Sequence, residues 1–140
     1  MNKVVRIILT IFVAVTAVTV SYGETKKNQK METKQIEAKE LYDAFKNGNE
    51  EAYKGHCRIS GIATYVGPDV YGLPSVELSE TNTASGRVLC VLPFTDYLKL
   101  RKVSKKDRVI MEGNVMGFAD EYDIVVVKRC EIVEVNGKKK

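Results

Sequence analysis

The sequence predicts a mainly β protein whose five strands close into a small barrel, with one short helix before the barrel and another between strands 3 and 4. Three observations predict this fold. Apolar residues alternate with polar ones in several segments of the C-terminal part, and a glycine lies inside the first of these segments. In addition, a helical segment separates the third predicted strand from the fourth. The 140-residue chain also holds ten glycines and seven tyrosines but no tryptophan, which suits strands and turns. We therefore expect a single domain with a modest core.

The first helix is indicated by apolar residues that recur along one helical face. Ala38, Leu41, Tyr42 and Phe45 have this spacing, and the dipeptide at 47–48 (Asn-Gly) ends the helix. The second helical segment covers residues 95–103. In that segment, we expect Thr95 to cap the helix and Leu98 and Val103 to pack against the barrel.

Five segments after the first helix have the pattern of strands. Gly61 inside the first of them predicts a bulge or a sharp bend, as small barrels need at their corners. The order of helix, three strands, helical link and two strands describes the five-stranded OB-fold barrel, which removes the sheet edges by closing on itself. The predicted strands cover residues 57–65, 73–78, 87–93, 109–115 and 123–135.

The first 23 residues have the pattern of an export signal peptide. Lys3 and Arg6 give a positive start, residues 7–20 are 14 residues without charge, and small residues precede Glu24. Because a membrane-spanning helix needs about 20 apolar residues, we expect cleavage before Glu24 and a location in the periplasm or cell envelope. The alternative is an inner-membrane anchor retained over residues 4–22, and only this alternative would give a membrane partner. No cysteine follows the apolar run, which excludes a bacterial lipoprotein anchor there.

The remaining chain divides into three parts. Residues 24–35 (ETKKNQKMETKQ) are almost wholly polar and predict a linker. Residues 36–135 form the predicted OB-fold domain, and residues 136–140 form a basic tail.

The positive charge of the chain lies mainly outside the predicted domain. The whole chain has a net charge of +4, whereas residues 36–135 hold 13 basic and 16 acidic residues, a net charge of −3. Domains that bind nucleic acid usually present a basic face, so nucleic acid is an unfavourable partner for this domain as a whole. One dense basic patch could meet phosphate or an anionic membrane, although such charge runs more often form a solvated connector. The basic patch consists of Lys99, Arg101, Lys102, Lys105, Lys106 and Arg108.

Several motifs of the domain occur together in one known family. They are the helix AKELYDAFKN at 38–47, YKG at 53–55 before ISG at 59–61, VLCVL at 88–92, VIMEG at 109–113, and V-x-V-x-x-C-x-I at 125–132. With these motifs, the chain resembles the tRNA-anti-like OB-fold family of exported bacterial proteins. The resemblance implies the fold and says little about function, because nucleic-acid binding would be carried over by analogy of fold alone.

The candidate ligand-binding residues lie in two predicted loops. OB-fold ligands generally lie across strands 2 and 3, between the loop that joins strands 1 and 2 and the loop that joins strands 4 and 5. Aromatic side chains there could stack on bases or sugar rings, or could simply pack within their loops. Asp69 and Asp123 make both rims more acidic, which opposes phosphate and favours a peptide, a glycan or a cationic partner. The candidates are Tyr65, Tyr71, Leu73, Phe118, Asp120, Glu121 and Tyr122, with Pro68 beside them.

The three cysteines, Cys57, Cys90 and Cys130, leave two interpretations open. Cys90 and Cys130 fall on the third and fifth strands, which are neighbours in an OB fold, so they could form a disulfide if both face inward. The favoured alternative is that each cysteine is a small buried hydrophobic residue. The sequence has no Cys-x-x-Cys motif and no pair of histidines, so we expect no metal site and no cofactor.

No motif of the sequence indicates catalysis. His56 is the only histidine, and no motif places a nucleophile beside it, so we expect no catalytic residues and no enzyme. The predicted function is an exported, non-enzymatic OB-fold binding module of the cell envelope that takes an unknown protein, glycan or small polar ligand. The alternative is a single-stranded nucleic-acid-binding domain, which requires the basic patch to be continuous with the aromatic face. A membrane-tethered structural protein would follow if the N-terminal segment is retained.

Overall fold

The computed structural model describes residues 33–81 and 86–140. The predicted signal peptide and most of the predicted linker therefore lie outside the described residues. Two 3₁₀ helices, Glu50–Tyr53 and Phe94–Lys102, accompany one α-helix and seven strands. These are β1 (Lys34–Glu37), α1 (Ala38–Lys46), β2 (Gly55–Pro68), β3 (Pro74–Ser79), β4 (Val88–Val91), β5 (Arg108–Ala119), β6 (Ile124–Val135) and β7 (Lys138–Lys139).

Five of the strands close into a barrel. They are hydrogen-bonded in the order β2, β3, β4, β6 and β5, and β5 pairs back with β2. Within this barrel, the pairing of β4 with β6 is parallel and the other pairings are antiparallel. This is the OB-fold arrangement, so the predicted fold class is confirmed.

Strand β2 closes the barrel because it takes part in two ladders. Residues 55–62 pair with β5, and residues 62–68 pair with β3, with a bulge in β2 between Ala63 and Tyr65. A Cβ atom on Gly61 would lie 3.0 Å from the carbonyl oxygen of Ser79 and 3.1 Å from the Cβ of Ala38. The glycine predicted to mark a corner therefore permits the close approach of β3 and α1, and the bulge itself follows at residue 64.

The inward side chains of the barrel form one hydrophobic core that α1 covers. The helix buries Ala38, Leu41 and Ala44, while Tyr42 and Phe45 pack partly buried against the same core. Apolar burial of this kind is the main stabilising contribution in a domain of this size. Fully buried barrel residues include Ile59, Val76, Leu78, Val88, Cys90, Val109, Met111, Val125, Val127 and Cys130.

The connector between β4 and β5 differs from the predicted helix. It is a 3₁₀ helix with Pro93 at its N-cap and no side-chain capping bond, so the prediction that Thr95 caps it was wrong. Leu98 is 70% exposed, whereas Leu100 and Val103 are buried. The segment is kinked at Asp96, whose backbone angles are not helical. After the kink, Leu100 and Val103 are three residues apart and share a face, as in a 3₁₀ helix with three residues per turn, whereas Leu98 falls on another face.

Two of the described strands extend beyond the predicted OB-fold domain. Lys34 and Gln35, assigned to the linker by the sequence, belong to β1, which pairs in parallel with Cys57 and Arg58 of β2. At the other end, β7 pairs with the last residues of β6, so the basic tail is an exposed short hairpin. No helix within residues 33–81 and 86–140 is long and apolar enough to cross a membrane.

Candidate ligand-binding groove

A groove of about 570 Å³ lies on the outer face of the barrel, between the β2–β3 loop and the β5–β6 loop. Its size falls within the roughly 300–1,000 Å³ of most ligand pockets. The position is the one at which OB folds generally hold ligands. Four of the predicted candidates line the groove: Tyr65, Tyr71, Leu73 and Tyr122.

The floor of the groove is apolar, although it lies on the outside of the barrel. Val88 and Cys90 of β4 point inward and are fully buried, so the alternate residue Leu89 points outward into the groove. Val91 also lines the groove but is only 4% exposed. Val126 of β6 lies in the same floor. The outer face of a small antiparallel sheet is normally polar, so this floor is a surface suited to apolar contact.

The β2–β3 loop is held by a single aspartate. The Asp69 carboxylate accepts hydrogen bonds from the backbone N–H groups of Tyr71 and Leu73, each at 2.9 Å. Gly72 has a φ of +79°, which lets the chain turn back into β3. The loop therefore presents Tyr71 at its tip, where the residue is 86% exposed. Asp69 contributes to the loop geometry in addition to the acidity of the rim.

Tyr65 forms a wall of the groove because of the bulge in β2. The bulge interrupts the alternation that continues from Cys57 to Ala63 on the inward face, and Tyr65 is partly exposed on the outside. Its hydroxyl donates to the carbonyl oxygen of Pro68 at 2.7 Å. The ring is thus fixed beside the loop before any ligand arrives.

The charged side chains that line the groove balance one another. Arg87 donates to the carboxylate of Glu77 from Nε at 2.9 Å and from Nη2 at 3.2 Å. The same carboxylate accepts from the Thr64 hydroxyl at 3.2 Å. Lys128 and Asp69 are the other charged residues of the lining, so it carries two acids and two bases. The groove is close to neutral.

Phe118 does not line the groove, and it lies in a strand and not in the predicted loop. β5 continues through Ala119, so Phe118 is a strand residue opposite Val125 and not part of a loop. Its ring packs against Tyr42 of α1, with ring centroids 5.9 Å apart, and Lys46 Nζ lies 5.1 Å from its centroid. Phe118 therefore joins α1 to the barrel.

The β5–β6 loop is fastened to α1 through Asp123. The Asp123 carboxylate accepts hydrogen bonds from the Tyr42 hydroxyl at 2.8 Å and from Lys46 Nζ at 3.0 Å. Both bonds lower the pKa of Asp123 below its usual value, and the bond from Lys46 has the larger effect. Asp120 and Glu121 are exposed on the same loop but do not line the groove. Of this loop, only Tyr122 forms part of the lining.

The basic patch lies outside the groove. None of its six residues lines the groove, so the continuity that the nucleic-acid alternative requires is not present in the lining. Arg108 pairs with Glu37 at 2.7 Å, and Lys99 pairs with Asp96 at 3.2 Å. The other four patch residues have no carboxylate within salt-bridge distance among residues 33–81 and 86–140.

The three cysteines are buried and unpaired. The hydrogen bond between the thiols of Cys90 and Cys130, followed by burial, raises the pKa of Cys90 well above its usual value. A Cβ atom on Gly113 would lie 2.6 Å from Cys130 Sγ, so the thiol occupies the space that the glycine leaves free. A disulfide between Cys90 and Cys130 stays a prediction for the oxidised protein.

His56 lies on the outer face of β2 and not in the groove. Its Nε2 is 2.6 Å from Glu112 Oε1, and its Nδ1 is 3.2 Å from Asn114 Oδ1. Arg58 binds the other oxygen of Glu112 at 2.9 Å. The hydrogen bond to the Glu112 carboxylate, and then that to Asn114 Oδ1, raises the pKa of His56 above its usual value. Sequence reasoning missed this cluster because it depends on the pairing of β2 with β5.

The groove floor was also missed, although the sequence carries a signal for it. The segment at 87–93 (RVLCVLP) is apolar on both faces, and an outward apolar face on a barrel strand needs something to cover it. No local sequence pattern assigns the charged residues Glu77, Arg87 and Lys128 to the groove. They lie on or beside three separate strands and come together only when the barrel closes.

The barrel order defines an OB-fold protein, and its groove lies on the face where OB folds generally hold ligands. More particularly, residues 1–132 match the tRNA_anti-like family model, and the chain belongs to that family. No curated protein matches the chain. Thirteen solved protein chains match it. One of them is called a "putative nucleic acid-binding lipoprotein" from Klebsiella pneumoniae. It is 13% identical to this chain, and the two structures superpose with a TM-score of 0.57. The match covers 73% of this chain and 92% of the Klebsiella chain. At this identity, the likeness concerns the fold alone.

Proposed function

We propose that this protein is an exported, non-enzymatic binding module whose groove takes a short apolar segment of a polypeptide. The observation that carries the proposal is the apolar floor of Leu89, Val91 and Val126 beneath the exposed Tyr71. An extended segment with one or two apolar side chains would cover this floor. Tyrosines supply large contact areas at low entropic cost, as they do in other protein-binding surfaces.

The charge balance of the groove supports a polypeptide over a polynucleotide. Proteins that hold single strands combine stacking aromatics with a positive groove that follows the phosphates. Here, Glu77 neutralises Arg87, and Asp69 offsets Lys128. A polynucleotide would bring phosphates into the groove, where the charges already balance and the phosphates' loss of hydration would cost free energy. A peptide backbone has no repeating charge, so a neutral groove with an apolar floor can bind it without this cost.

Export is supported by the sequence of the first 23 residues and is consistent with a likeness in fold to a protein described as a lipoprotein. N-terminal sequencing of the protein isolated from a bacterial envelope tests this part of the proposal. A start near Glu24 supports cleavage and a mature binding module. A start at Met1 contradicts cleavage and supports the retained anchor over residues 4–22.

A binding role without catalysis is supported by the residues of the groove. Its lining contains neither histidine nor cysteine, and its one serine, Ser75, is buried and donates to the carbonyl oxygen of Gly67 at 2.8 Å. His56 is engaged by Glu112 and Asn114 elsewhere on the barrel. A nucleophile with an adjacent base is the usual requirement for covalent catalysis.

Peptide selection tests the proposal. A library of random short peptides is selected on the wild-type chain, and the recovered peptides are assayed on Leu89→Arg, which places a charge in the floor. We expect peptides rich in apolar and aromatic residues that lose at least about tenfold in affinity on this variant, since a buried unpaired charge is costly. Met116→Arg is the matched control, because Met116 is 58% exposed but lies outside the groove. Peptides that bind both variants equally would contradict the proposal.

Single-stranded nucleic acid is the second candidate, and one observation favours it. Tyr65, Tyr71 and Tyr122 surround the face on which OB folds stack bases. Fluorescence anisotropy with labelled oligothymidine distinguishes the candidates. Binding at low salt that weakens steeply as salt rises, and that Tyr71→Ala reduces, would favour nucleic acid over the polypeptide.

A further inference from the structure

We propose that the β4–β5 connector, residues 93–107, is a surface that contacts an anionic phospholipid bilayer. It is separate from the groove and does not rest on the proposed function. The connector combines exposed apolar side chains with cations that lack a carboxylate partner. This combination is the property of segments that lie in the interface of a membrane.

The apolar part of the connector consists of Phe94 and Leu98, each 70% exposed, together with the less exposed Tyr97. Phe94 and Leu98 lie on either side of the kink at Asp96, and their high exposure leaves both side chains little contact with the described protein. They cannot serve the core, because Leu100 and Val103 anchor the connector to the barrel. Their exposure costs free energy in water, and burial in the headgroup region of a bilayer would recover it.

The cationic part of the connector consists of Arg101, Lys102, Lys105 and Lys106, all exposed. Among the described residues, no carboxylate lies within salt-bridge distance of these four. The nearby Asp107 is already engaged, since it accepts hydrogen bonds from Asn136 and from the backbone of Ser104. The connector thus has an unbalanced positive charge in a domain whose body is net acidic. This charge is complementary to anionic lipid headgroups.

Charge and apolar exposure together favour a bilayer over other polyanions. Nucleic acid would be attracted by the cations but would leave Phe94 and Leu98 uncovered, unless bases stacked on them. A bilayer surface offers headgroup charge and an apolar layer at the depth that a side chain reaches.

The test uses the full chain with a single tryptophan as the reporter, because the natural sequence contains none. Phe94→Trp puts the reporter in the connector, and Met116→Trp puts it on the exposed face of β5 as the matched control. Each chain is mixed with vesicles of phosphatidylcholine and phosphatidylglycerol that contain brominated acyl chains, which quench nearby tryptophan. Because the reporter is local, insertion of the N-terminal apolar segment alone does not produce quenching at residue 94.

We expect quenching and a blue shift for Phe94→Trp on anionic vesicles, and little change for Met116→Trp. A second variant of the Phe94→Trp chain has glutamine in place of Arg101, Lys102, Lys105 and Lys106. We expect its residue 94 to interact with vesicles at least about 30-fold more weakly, because each of these cations is attracted to an anionic surface. Unchanged far-ultraviolet circular dichroism shows that the variants are folded.

Three results would overturn the inference. They are the absence of quenching at residue 94, equal quenching at residues 94 and 116, and equal quenching on vesicles of phosphatidylcholine alone. Binding of oligothymidine that the glutamine substitutions remove, without quenching by vesicles, would assign the connector to nucleic acid instead.

Discussion

Two serines of β3 give a prediction in which the same substitution has opposite effects. Ser75 and Ser79 are both fully buried, on the same strand and four residues apart. The Ser75 hydroxyl donates to the carbonyl oxygen of Gly67 at 2.8 Å. The Ser79 hydroxyl has no hydrogen-bond partner among the described residues. Substitution by alanine should therefore destabilise the protein at residue 75 and not at residue 79.

The expected magnitudes follow from the hydrogen-bond inventory. Ser75→Ala removes a net contribution of about 1 kcal/mol and leaves the Gly67 carbonyl without its donor. Ser79→Ala removes a hydroxyl whose unpartnered burial costs about 1–2 kcal/mol, so the free energy of unfolding should stay equal or rise by up to about 1 kcal/mol. The difference between the two variants should be about 1–2 kcal/mol, or roughly 4–12 °C in Tm for a domain of this size.

Urea unfolding followed by circular dichroism measures both variants against the wild type. Equal slopes in the denaturant dependence show that the change lies in stability and not in the unfolded state. If Ser79→Ala loses as much stability as Ser75→Ala, the reasoning from buried hydrogen bonds is refuted. Ser60, also buried and without a partner among the described residues, offers a replicate of the Ser79 measurement.

Three further predictions concern packing, pH and the thiols. Gly113→Ala should lower the free energy of unfolding by about 2 kcal/mol, because the new Cβ would lie 2.6 Å from Cys130 Sγ. Adding Cys130→Ala to the same chain should restore part of the lost stability. If urea unfolding shows that the effects of the two substitutions simply add, this explanation is contradicted. The His56–Glu112 pair should stabilise the folded state most between pH 4.5 and pH 6.5, the ordinary pKa values of the two groups. The pKa of His56 is raised in the folded state, so its contribution to stability is lost as pH rises. The pKa of Glu112 is lowered, so its contribution is lost as pH falls. Both groups are partly exposed, so this contribution should stay within about 1 kcal/mol; a pH profile of urea unfolding that His56→Gln leaves unchanged would argue against it. The three buried thiols should react with iodoacetamide only after unfolding, and rapid alkylation of the native protein would show that they are accessible.

The fold could be predicted from the sequence because its strands alternate clearly and its connections carry turn residues. Cys57, Ile59 and Ala63 lie inward as the alternation requires, and the helix at Ala38 covers the core. The connector was mispredicted at Leu98, because α-helical spacing was assumed for a segment that forms a 3₁₀ helix.

The candidate site could be predicted only in part, because a groove depends on where strands end. Tyr71 and Tyr122 were found since they belong to the loops that flank the ligand face of an OB fold. Phe118 was assigned to a loop because Gly117 indicates a loop by composition. In the structure, Gly117 has a positive φ of 158°, which favours glycine, and β5 continues through it to Ala119. The pair of Glu77 and Arg87 was not predicted, because ten residues and a strand turn separate the two side chains in sequence.

The central claim is that the groove between the two loops is the place where this protein binds its ligand. Its most direct test is a titration of the ¹⁵N-labelled protein with a selected peptide, followed by backbone amide chemical shifts. We expect the largest shift changes at Leu89, Val126 and Tyr71, and we expect the Leu89→Arg variant to lose them. Shift changes centred on the basic patch, or on the outer face of β5 around Met116, would contradict the claim.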